Sequence, residues 1–254
     1  MGITLRRLTL SYGSRILLDR VSADLPDSAL TALLGRNGTG KSTLLRAIAG
    51  LGPSASGSIR LCGRELHGLT QRQRARTVGF VATDKVRIAN LTCEEVVALG
   101  RAPYTDWIGR LSGGDREIVR HALRLTGMES FAAKTMDTLS DGECQRIMLA
   151  RALAQDTPVI LLDEPTAFLD LPNRYELCTL LRRLAREQHK CILFSTHELD
   201  IALSLCDGVA LIDPPALHHL PTSEMILSGH IERLFAGGGI RFDPASRSVR
   251  TLKE

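Results

Sequence analysis

Residues 35–43 have the sequence Gly35-Arg36-Asn37-Gly38-Thr39-Gly40-Lys41-Ser42-Thr43. This sequence fits the pattern G-x-x-x-x-G-K-[S/T], in which glycines allow backbone N–H groups to surround a phosphate. The nearly all-apolar residues 29–34 before it predict a buried parallel strand, and residues 44–51 after it predict a helix. A loop between a strand and the N-terminus of a helix favours phosphate binding. We therefore predict an α/β P-loop fold in which residues 35–43 bind ATP.

Two side chains of this loop have specific expected roles. Lys41 is expected to reach the terminal phosphates, and the Ser42 hydroxyl is expected to bind Mg²⁺. A glycine-rich turn with an incidental lysine is the alternative interpretation. The flanking strand, the flanking helix and the complete spacing of the motif disfavour that alternative.

A pair of carboxylates follows a second apolar run. Val159-Ile160-Leu161-Leu162 predicts another buried strand, and Asp163 stands at its carboxyl end, where ligands bind in open α/β sheets. We expect Asp163 to hold Mg²⁺ through its water shell. We expect Glu164 to polarise the water that attacks the γ-phosphate. An ordinary Asp-Glu turn before Pro165 is the alternative, which the upstream phosphate loop disfavours.

A lone histidine, His197, follows a third apolar run at residues 191–195. Most isolated histidines have no chemical role, and this chain contains seven of them. His197 differs by position, because the end of a buried strand brings it towards the same crevice as Asp163 and Glu164. A neutral imidazole there could bond to the γ-phosphate and orient the attacking water. We therefore predict that His197 assists catalysis.

A fourth motif, Leu139-Ser140-Asp141-Gly142-Glu143, precedes a predicted helix. Ser140 and Glu143 have the spacing of a capping box, so Ser140 is expected to begin a helix whose N-terminus can face a phosphate. In chain order, at residues 35–43, 139–143, 159–164 and 195–197, the four motifs resemble those of the nucleotide-binding subunit of an ABC transporter. The resemblance covers nearly the whole chain and includes Gln145-Arg146 and Ala150-Arg151-Ala152-Leu153 after the fourth motif.

The resemblance implies an α/β P-loop NTPase fold with a mainly parallel sheet, an N-terminal antiparallel β edge and a helical insertion that carries the signature motif. It implies a single nucleotide-binding domain over residues 1–254. The helical pattern places the insertion at about 85–157. Residues 213–254 are expected to form a small peripheral element, with Gly237-Gly238-Gly239 as a flexible turn.

The resemblance also implies further site residues and partners. Tyr12 is expected to stack on adenine, and Asp170 matches the D-loop. Ser140, Gly142 and Glu143 of one protomer are expected to contact the ATP held by the other protomer. ATP and Mg²⁺ are therefore implied, with a homodimer across ATP, a separate transmembrane permease subunit and, indirectly, a periplasmic or surface substrate-binding protein. The implied location is peripheral, at the cytoplasmic face of the cell membrane.

A second stretch, Leu111-Ser112-Gly113-Gly114-Asp115, is closer in letters to the usual LSGGQ signature of the family. It is rejected as the signature because no Gln-Arg and Ala-Arg-Ala-Leu helix follows it and because it lies too far from Asp163. Ser112 and Asp115 instead predict an ordinary helix cap. Apolar residues on one side of the helix that follows support that interpretation; they are Ile118, Val119, Ala122, Leu123 and Leu125.

Four stretches are similar to one importer branch of the family, which carries ferric siderophores, haem and cobalamin. One of them is the motif Leu139-Ser140-Asp141-Gly142-Glu143. The other three lie elsewhere in the chain. They are Val97-Ala98-Leu99-Gly100-Arg101-Ala102-Pro103-Tyr104, Asp106-Trp107-Ile108-Gly109-Arg110-Leu111 and Pro165-Thr166-Ala167-Phe168-Leu169-Asp170-Leu171-Pro172. The resemblance therefore implies import of an iron-siderophore complex, haem or cobalamin.

Two positions depart from the family pattern. Thr83 stands where the Q-loop has a glutamine, and Asp141 replaces the middle glycine of the signature. Because threonine is shorter than glutamine, Thr83 is expected to reach the metal only through a water. The two departures leave open a degenerate ATP-binding module that dimerises with little turnover.

Composition narrows the function classes. The net charge of the chain is +4, and its basic clusters lack interleaved aromatic residues, which disfavours nucleic-acid binding. The six cysteines include no C-x-x-C pair, which disfavours a metal cluster or disulfide framework and favours reduced cytosol. No run approaches the ~20 apolar residues of a membrane-spanning helix, so transport is expected in a separate subunit. A soluble ABC ATPase remains the alternative, although the long coiled coil or second cassette of such proteins is not present.

Overall fold

The computed structural model of this protein describes residues 2–52, 55–83, 88–235 and 240–251. The strands are β1 Ile3–Tyr12, β2 Arg15–Leu25, β3 Ala29–Gly35, β4 Ser56–Leu61, β5 Arg64–Glu65, β6 Val78–Val81, β7 Val159–Leu162, β8 Cys191–Ser195, β9 Gly208–Asp213, β10 Ala216–Pro221, β11 Ile240–Asp243 and β12 Ser248–Thr251. The α-helices are α1 Lys41–Ile48, α2 Gln71–Ala75, α3 Cys93–Ala98, α4 Gly113–Leu125, α5 Asp141–Ala154, α6 Leu171–Glu187, α7 Leu199–Leu205, α8 Thr222–Leu227 and α9 His230–Leu234. Short 3-10 helices cover Leu66–Gly68, Leu99–Arg101, Glu129–Phe131 and Met136–Thr138.

The central sheet has the strand order β10-β9-β3-β8-β7-β6. Its neighbours pair in parallel except β9 and β10, which are antiparallel. Every residue of β7 and β8 is buried, as expected for parallel strands covered on both faces. The predicted α/β fold with a mainly parallel sheet is therefore confirmed. Because the strands are parallel, the carboxyl ends of β3, β6, β7 and β8 lie at one edge of the sheet.

A second sheet, of order β2-β1-β4-β5, is antiparallel and confirms the predicted N-terminal antiparallel element. Its apolar side chains share one buried cluster with α1 and with the central sheet. Leu8 and Leu10 of β1, Leu44 and Leu45 of α1, and Leu33 of β3 all belong to this cluster. Packing against α1 holds the β1–β2 hairpin beside the phosphate loop.

Between β6 and β7, the described residues form α3, α4, α5 and short 3-10 turns. Val96 of α3, Val119 and Leu123 of α4, and Ile147 of α5 are buried together in the main core. The start of α5 after Ser140, predicted from the capping box, is confirmed. The helices lie where the insertion is predicted, at about 85–157, although residues 84–87 of the chain are outside the described residues.

The C-terminal region contains α8, α9 and the antiparallel hairpin β11–β12. Phe242 of β11 is fully buried in the main core together with Ile231 of α9, so the hairpin is anchored to the rest of the molecule. The predicted turn at Gly237-Gly238-Gly239 lies outside the described residues. Within the described residues, no helix combines the length and the apolar character that crossing a membrane requires.

Candidate active site

The phosphate loop connects β3 to α1 and turns sharply before the helix. Gly40 precedes α1 with a φ of 102°. The positive φ favours glycine at this position, and a Cβ atom, which would lie 2.8 Å from Leu17 Cδ1, would also have to displace the Leu17 side chain. Within the loop, the backbone N–H and the hydroxyl of Thr39 donate to the Arg36 carbonyl at 3.3 and 2.8 Å. These bonds fix the turn that leads into the N-terminus of α1.

Lys41 is the first residue of α1 and is only 6% exposed. Its ammonium donates to the carbonyl oxygens of Gly35 at 2.9 Å and Arg36 at 3.4 Å. Burial lowers the pKa of Lys41, and the nearby carboxylates of Glu164 and Asp163 act in the opposite direction. The structure therefore holds an ammonium group beside the loop, where it can bind an anion.

Asp163 follows β7 and is 3% exposed. Its Oδ1 accepts a hydrogen bond of 2.7 Å from the hydroxyl of Ser195, which ends the neighbouring strand β8. The backbone N–H of Asp163 donates to the Val81 carbonyl at 2.8 Å. Val81 ends β6, which is the neighbour of β7 on the side opposite β8. Asp163 is therefore oriented by both neighbouring strand ends.

Glu164 has a φ of 48°, in the left-handed region. This conformation costs a non-glycine residue about 1–2 kcal/mol. The carboxylates of Asp163 and Glu164 have different neighbours. Asp163 contacts Ser195, whereas Glu164 Oε1 lies 2.5 Å from His197 Nε2. Two adjacent carboxylates thus occupy two environments, one buried against Ser195 and one beside an imidazole.

One cavity of about 290 Å³ brings most of the predicted ATP-site residues together. It is lined by Tyr12, Arg15, Leu17, Asn37, Gly38, Gly40, Lys41, Ser42, Thr43, Glu164 and His197. The predicted residues Gly35, Arg36, Thr39 and Asp163 are not part of this lining. Thr39 and Asp163 are buried. Gly35 and Arg36 supply the carbonyl oxygens that accept hydrogen bonds from the Lys41 ammonium.

Arg15 and Leu17 also line the cavity, although they belong to none of the predicted motifs. Tyr12, which is 71% exposed, is the cross-strand partner of Arg15. A two-residue turn pairs the residues on either side of it, so the sequence Tyr12-Gly13-Ser14-Arg15 contained a signal that was missed. The hairpin therefore places a cation beside the exposed aromatic ring.

The predicted signature residues lie outside the cavity lining of their own chain. Ser140 precedes α5, its hydroxyl accepts from the Glu143 N–H at 3.3 Å, and it donates to Glu143 Oε2 at 2.7 Å. The hydrogen bonds that the hydroxyl and the backbone N–H of Ser140 donate to the Glu143 carboxylate lower the pKa of Glu143. A Cβ atom on Gly142 would lie 3.2 Å from Leu169 Cδ2, so the signature packs closely against the segment after β7.

Two other predicted positions are at helix N-termini. Asp170 caps α6, where its Oδ1 accepts from the Asn173 N–H at 3.1 Å. Asp141 is the first residue of α5 and is half-buried. A carboxylate in the first turn of a helix is favoured by the helix dipole, which offers a reason for an aspartate at this position.

Thr83 follows the end of β6, and its hydroxyl donates to the backbone carbonyl of Asp163 at 2.9 Å. Thr83 does not belong to the cavity lining. The Thr83 hydroxyl therefore links the end of β6 to the backbone at the end of β7, where the two carboxylates lie.

The donor atoms of the site fit ATP with Mg²⁺. The loop offers an ammonium group and a helix N-terminus for phosphate, at Lys41 and α1. Ser42, Asp163 and Glu164 supply only oxygen atoms, which are the ligands that Mg²⁺ prefers. The arrangement therefore offers donors for a phosphate chain and oxygen ligands for a hard cation, beside a carboxylate that contacts His197.

Comparisons with known proteins agree with this geometry. The family model described as ABC transporter matches residues 18–167. The iron(3+)-hydroxamate import ATP-binding protein of Bacillus subtilis is 36% identical over 201 residues, or 79% of this chain and 75% of that protein. The cobalamin import ATP-binding protein of Halobacterium salinarum is 36% identical over 239 residues, or 93% of this chain and 59% of that protein. A dimeric ATP-binding cassette in a post-hydrolysis state, bound to ADP and Pi, is similar with a TM-score of 0.75 at 26% identity, covering 87% of this chain and 98% of that one.

Proposed function

This chain belongs to the ABC transporter family and is an ABC transporter ATPase, and from that premise we propose that it powers an importer by hydrolysing ATP between two copies of itself. The observation that carries the proposal is the position of Glu164. The side chain of Glu164 contacts His197, and both line the cavity that contains Lys41 and Ser42. The proposed base therefore lines the same cavity as the lysine that is expected to bind the terminal phosphates.

In the proposed mechanism, Tyr12 stacks on adenine, and the N-terminus of α1 with Lys41 binds the phosphates. Ser42 and Asp163 would hold Mg²⁺, which neutralises phosphate charge when it is bound. A Glu164 carboxylate oxygen accepts a hydrogen bond from the attacking water and aligns it with the γ-phosphorus. His197 holds the carboxylate through Nε2 and can bond to the γ-phosphate.

We propose that a second copy of the chain completes the site. Ser140, Gly142 and Glu143 do not line the cavity of their own chain, yet they form the N-terminus of a long, buried helix. The N-terminus of a helix favours an anion, and a partner can present it to the γ-phosphate. The dimeric cassette with similar structure supports this arrangement.

The proposed cargo is an iron-siderophore complex, haem or cobalamin. The two relatives described above carry the names of different cargoes at the same identity of 36%, so identity alone does not select among these cargoes. The proposed partners are a transmembrane permease and, indirectly, a substrate-binding protein outside the cytoplasm. The proposed location is the cytoplasmic face of the membrane. A module that dimerises with little turnover is the second candidate, because Thr83 and Asp141 depart from the family pattern.

The substitution Glu164→Gln tests the proposal. It removes the base while keeping the shape of the side chain, so ATP affinity should remain while turnover falls at least about 100-fold. The ATP-bound dimer should accumulate in size-exclusion chromatography with ATP and Mg²⁺. Glu187→Gln, at the exposed end of α6, is the matched control and should behave like the wild type. A Glu164→Gln protein that stays monomeric and hydrolyses ATP normally contradicts the assignment, and a wild type without turnover favours the second candidate.

A further inference from the structure

The peptide bond between Asp163 and Glu164 is held at both of its polar groups. The Asp163 carbonyl accepts a hydrogen bond of 2.9 Å from the Thr83 hydroxyl. The Glu164 N–H donates to the Ser195 hydroxyl at 2.8 Å. The C=O and N–H of a trans peptide point in opposite directions, and β7 lies between β6 and β8 in the sheet. Thr83 and Ser195 therefore hold this peptide from opposite sides.

This peptide leads into a strained residue. Glu164 has a φ of 48°, which costs about 1–2 kcal/mol in a non-glycine residue. Such a conformation persists only where the surrounding structure imposes it. A negative φ at Glu164 would change the angle between the preceding peptide and the Glu164 side chain. If the peptide kept both of its hydrogen bonds, the carboxylate would move away from His197; if the carboxylate stayed in place, the peptide would turn and at least one of its two hydrogen bonds would be lost.

We propose that Thr83 is a positioning residue for Glu164: its hydroxyl fixes the Asp163–Glu164 peptide and thereby holds the catalytic carboxylate towards the cavity. The inference rests on the proposed function, because it assigns Glu164 the role of base. Thr83 acts through the backbone in this proposal: its hydroxyl proton is donated to the Asp163 carbonyl, and its side chain lies outside the cavity lining.

Three substitutions separate the hydroxyl from the rest of the side chain. Thr83→Val keeps the β-branched shape and removes the donor, whereas Thr83→Ser keeps the donor. Thr77→Val is the matched control just before the other end of β6, because the Thr77 hydroxyl also donates to a backbone carbonyl, that of Gln73, at 2.8 Å. The control removes a similar hydrogen bond without touching the Asp163–Glu164 peptide.

Steady-state ATPase activity, the KM for ATP, the dependence on Mg²⁺ and the Tm are measured for each variant. Thr83→Val should lower kcat about 10- to 100-fold, because a displacement of about 1 Å at a reacting group has an effect of that size. The KM for ATP and the Mg²⁺ concentration for half-maximal activity should stay within about 2-fold, because no ligand contact is removed. Thr83→Ser should restore most of kcat. Thr77→Val should lower the Tm without lowering kcat.

Two kinetic outcomes overturn the inference. Wild-type kcat in Thr83→Val means that the hydroxyl does not position Glu164. A rise in the Mg²⁺ requirement and in KM together with the loss of kcat means that Thr83 contacts the metal or the nucleotide directly.

A double-substitution cycle tests whether Thr83 acts through Glu164, which the single variants do not test. In single-turnover experiments, Thr83→Val should have little further effect in the Glu164→Gln background, because the base that it positions is already absent. If Thr83→Val lowers the single-turnover rate in the Glu164→Gln background by the same factor as in the wild type, the inference is overturned. Thr83→Ala replaces Thr83→Val in all of these measurements if the valine variant does not fold.

A crystal structure of the Thr83→Val protein gives a readout that does not depend on activity. Glu164 should leave the left-handed region and lose its contact with His197. An unchanged φ and an unchanged contact overturn the inference. If the wild type binds ATP without turnover, the proposed function fails, and this structural readout still decides the role of Thr83.

Discussion

Ser112 and Ser140 each precede a helix and form the same local structure. The Ser112 hydroxyl donates to Asp115 at 2.6 Å, and the Ser140 hydroxyl donates to Glu143 at 2.7 Å. Each carboxylate also accepts from the backbone N–H of its serine, at 2.9 and 2.7 Å. In return, each serine oxygen accepts from the N–H three residues later, at 3.1 and 3.3 Å. By these hydrogen bonds alone, the two capping boxes cannot be told apart.

Their surroundings differ. Asp115 also accepts a hydrogen bond of 2.8 Å from Arg101, and both residues are buried. Arg101 in turn donates to the Ala154 carbonyl at the end of α5, at 2.9 Å. The first box therefore joins α4 to the end of α5. The second box begins α5 itself, and Gly142 within it packs against Leu169 near the D-loop.

The helices that follow also differ. The buried residues of α4 form one stripe, whereas α5 is buried on most of its faces from Cys144 onwards. An amphipathic helix packs on the edge of a core, and a helix buried all round lies inside it. A capping motif thus predicts where a helix begins, while the packing of that helix determines whether the motif anchors the fold or can face a partner.

The largest expected difference between the two boxes is functional. Ser140→Arg should abolish ATP-driven dimerisation and lower turnover at least about 100-fold, because an arginine would occupy the space of the partner's phosphate. Ser112→Arg should leave turnover within about 3-fold of the wild type and cost only the helix cap, about 1 kcal/mol. Size-exclusion chromatography in the Glu164→Gln background and steady-state ATPase assays measure both effects. The opposite result would identify Ser112 as the signature serine.

The next difference concerns stability. Asp115→Asn should lower the free energy of unfolding by about 3 kcal/mol, because it leaves the buried Arg101 without its counter-charge. Glu143→Gln should cost about 1 kcal/mol, as expected for a weakened cap. Urea denaturation of the two variants in the absence of nucleotide measures the difference. Equal losses would show that the Arg101–Asp115 pair contributes no more than the cap.

The free energy of unfolding should also depend on pH, because the pKa of Asp115 is lowered in the folded protein. Hydrogen bonds from Ser112, followed by the hydrogen bond from Arg101, lower the pKa of Asp115 from 3.8 to about 2. Because the pKa is lower in the folded state, the stabilisation is complete above about pH 4 and is lost as the pH falls towards about 2.

Urea denaturation of the wild type and of Asp115→Asn at a series of pH values tests this dependence. The stability difference between them should be constant from about pH 5 to 7 and should shrink below about pH 4. A difference that stays constant down to about pH 2.5 would contradict the lowered pKa.

The smallest expected effect is the one in which the two boxes agree. Ser112→Ala and Ser140→Ala should each lower the free energy of unfolding by about 1 kcal/mol, because each removes the same cap hydrogen bonds. Parallel urea titrations of the two variants provide the measurement. A difference larger than about 1 kcal/mol between them would show that tertiary contacts alter even the energy of the cap.

Much of the candidate site was predictable because its signals are short in sequence. The phosphate loop, the strand before Asp163 and the cap at Ser140 each depend on fewer than about ten consecutive residues. The parallel sheet brings Glu164 and His197, which follow the ends of β7 and β8, to the edge where the loop after β3 places Lys41. Arg15 belongs to no local motif, and its place in the cavity follows only from its cross-strand pairing with Tyr12 in the β1–β2 hairpin.

Local sequence thus determined the helix starts, the buried strands and the chemistry at the strand ends of this protein, because hydrogen bonds and steric preferences act between near neighbours. Tertiary structure alone decided the partners that are far apart in the chain. The Thr83 hydroxyl donates a hydrogen bond to the Asp163 carbonyl, 80 positions away, and the Arg101 guanidinium donates one to the Ala154 carbonyl, 53 positions away. No local pattern specifies such pairs, since they form only when packing of the whole sheet and its helices brings distant segments within hydrogen-bond distance.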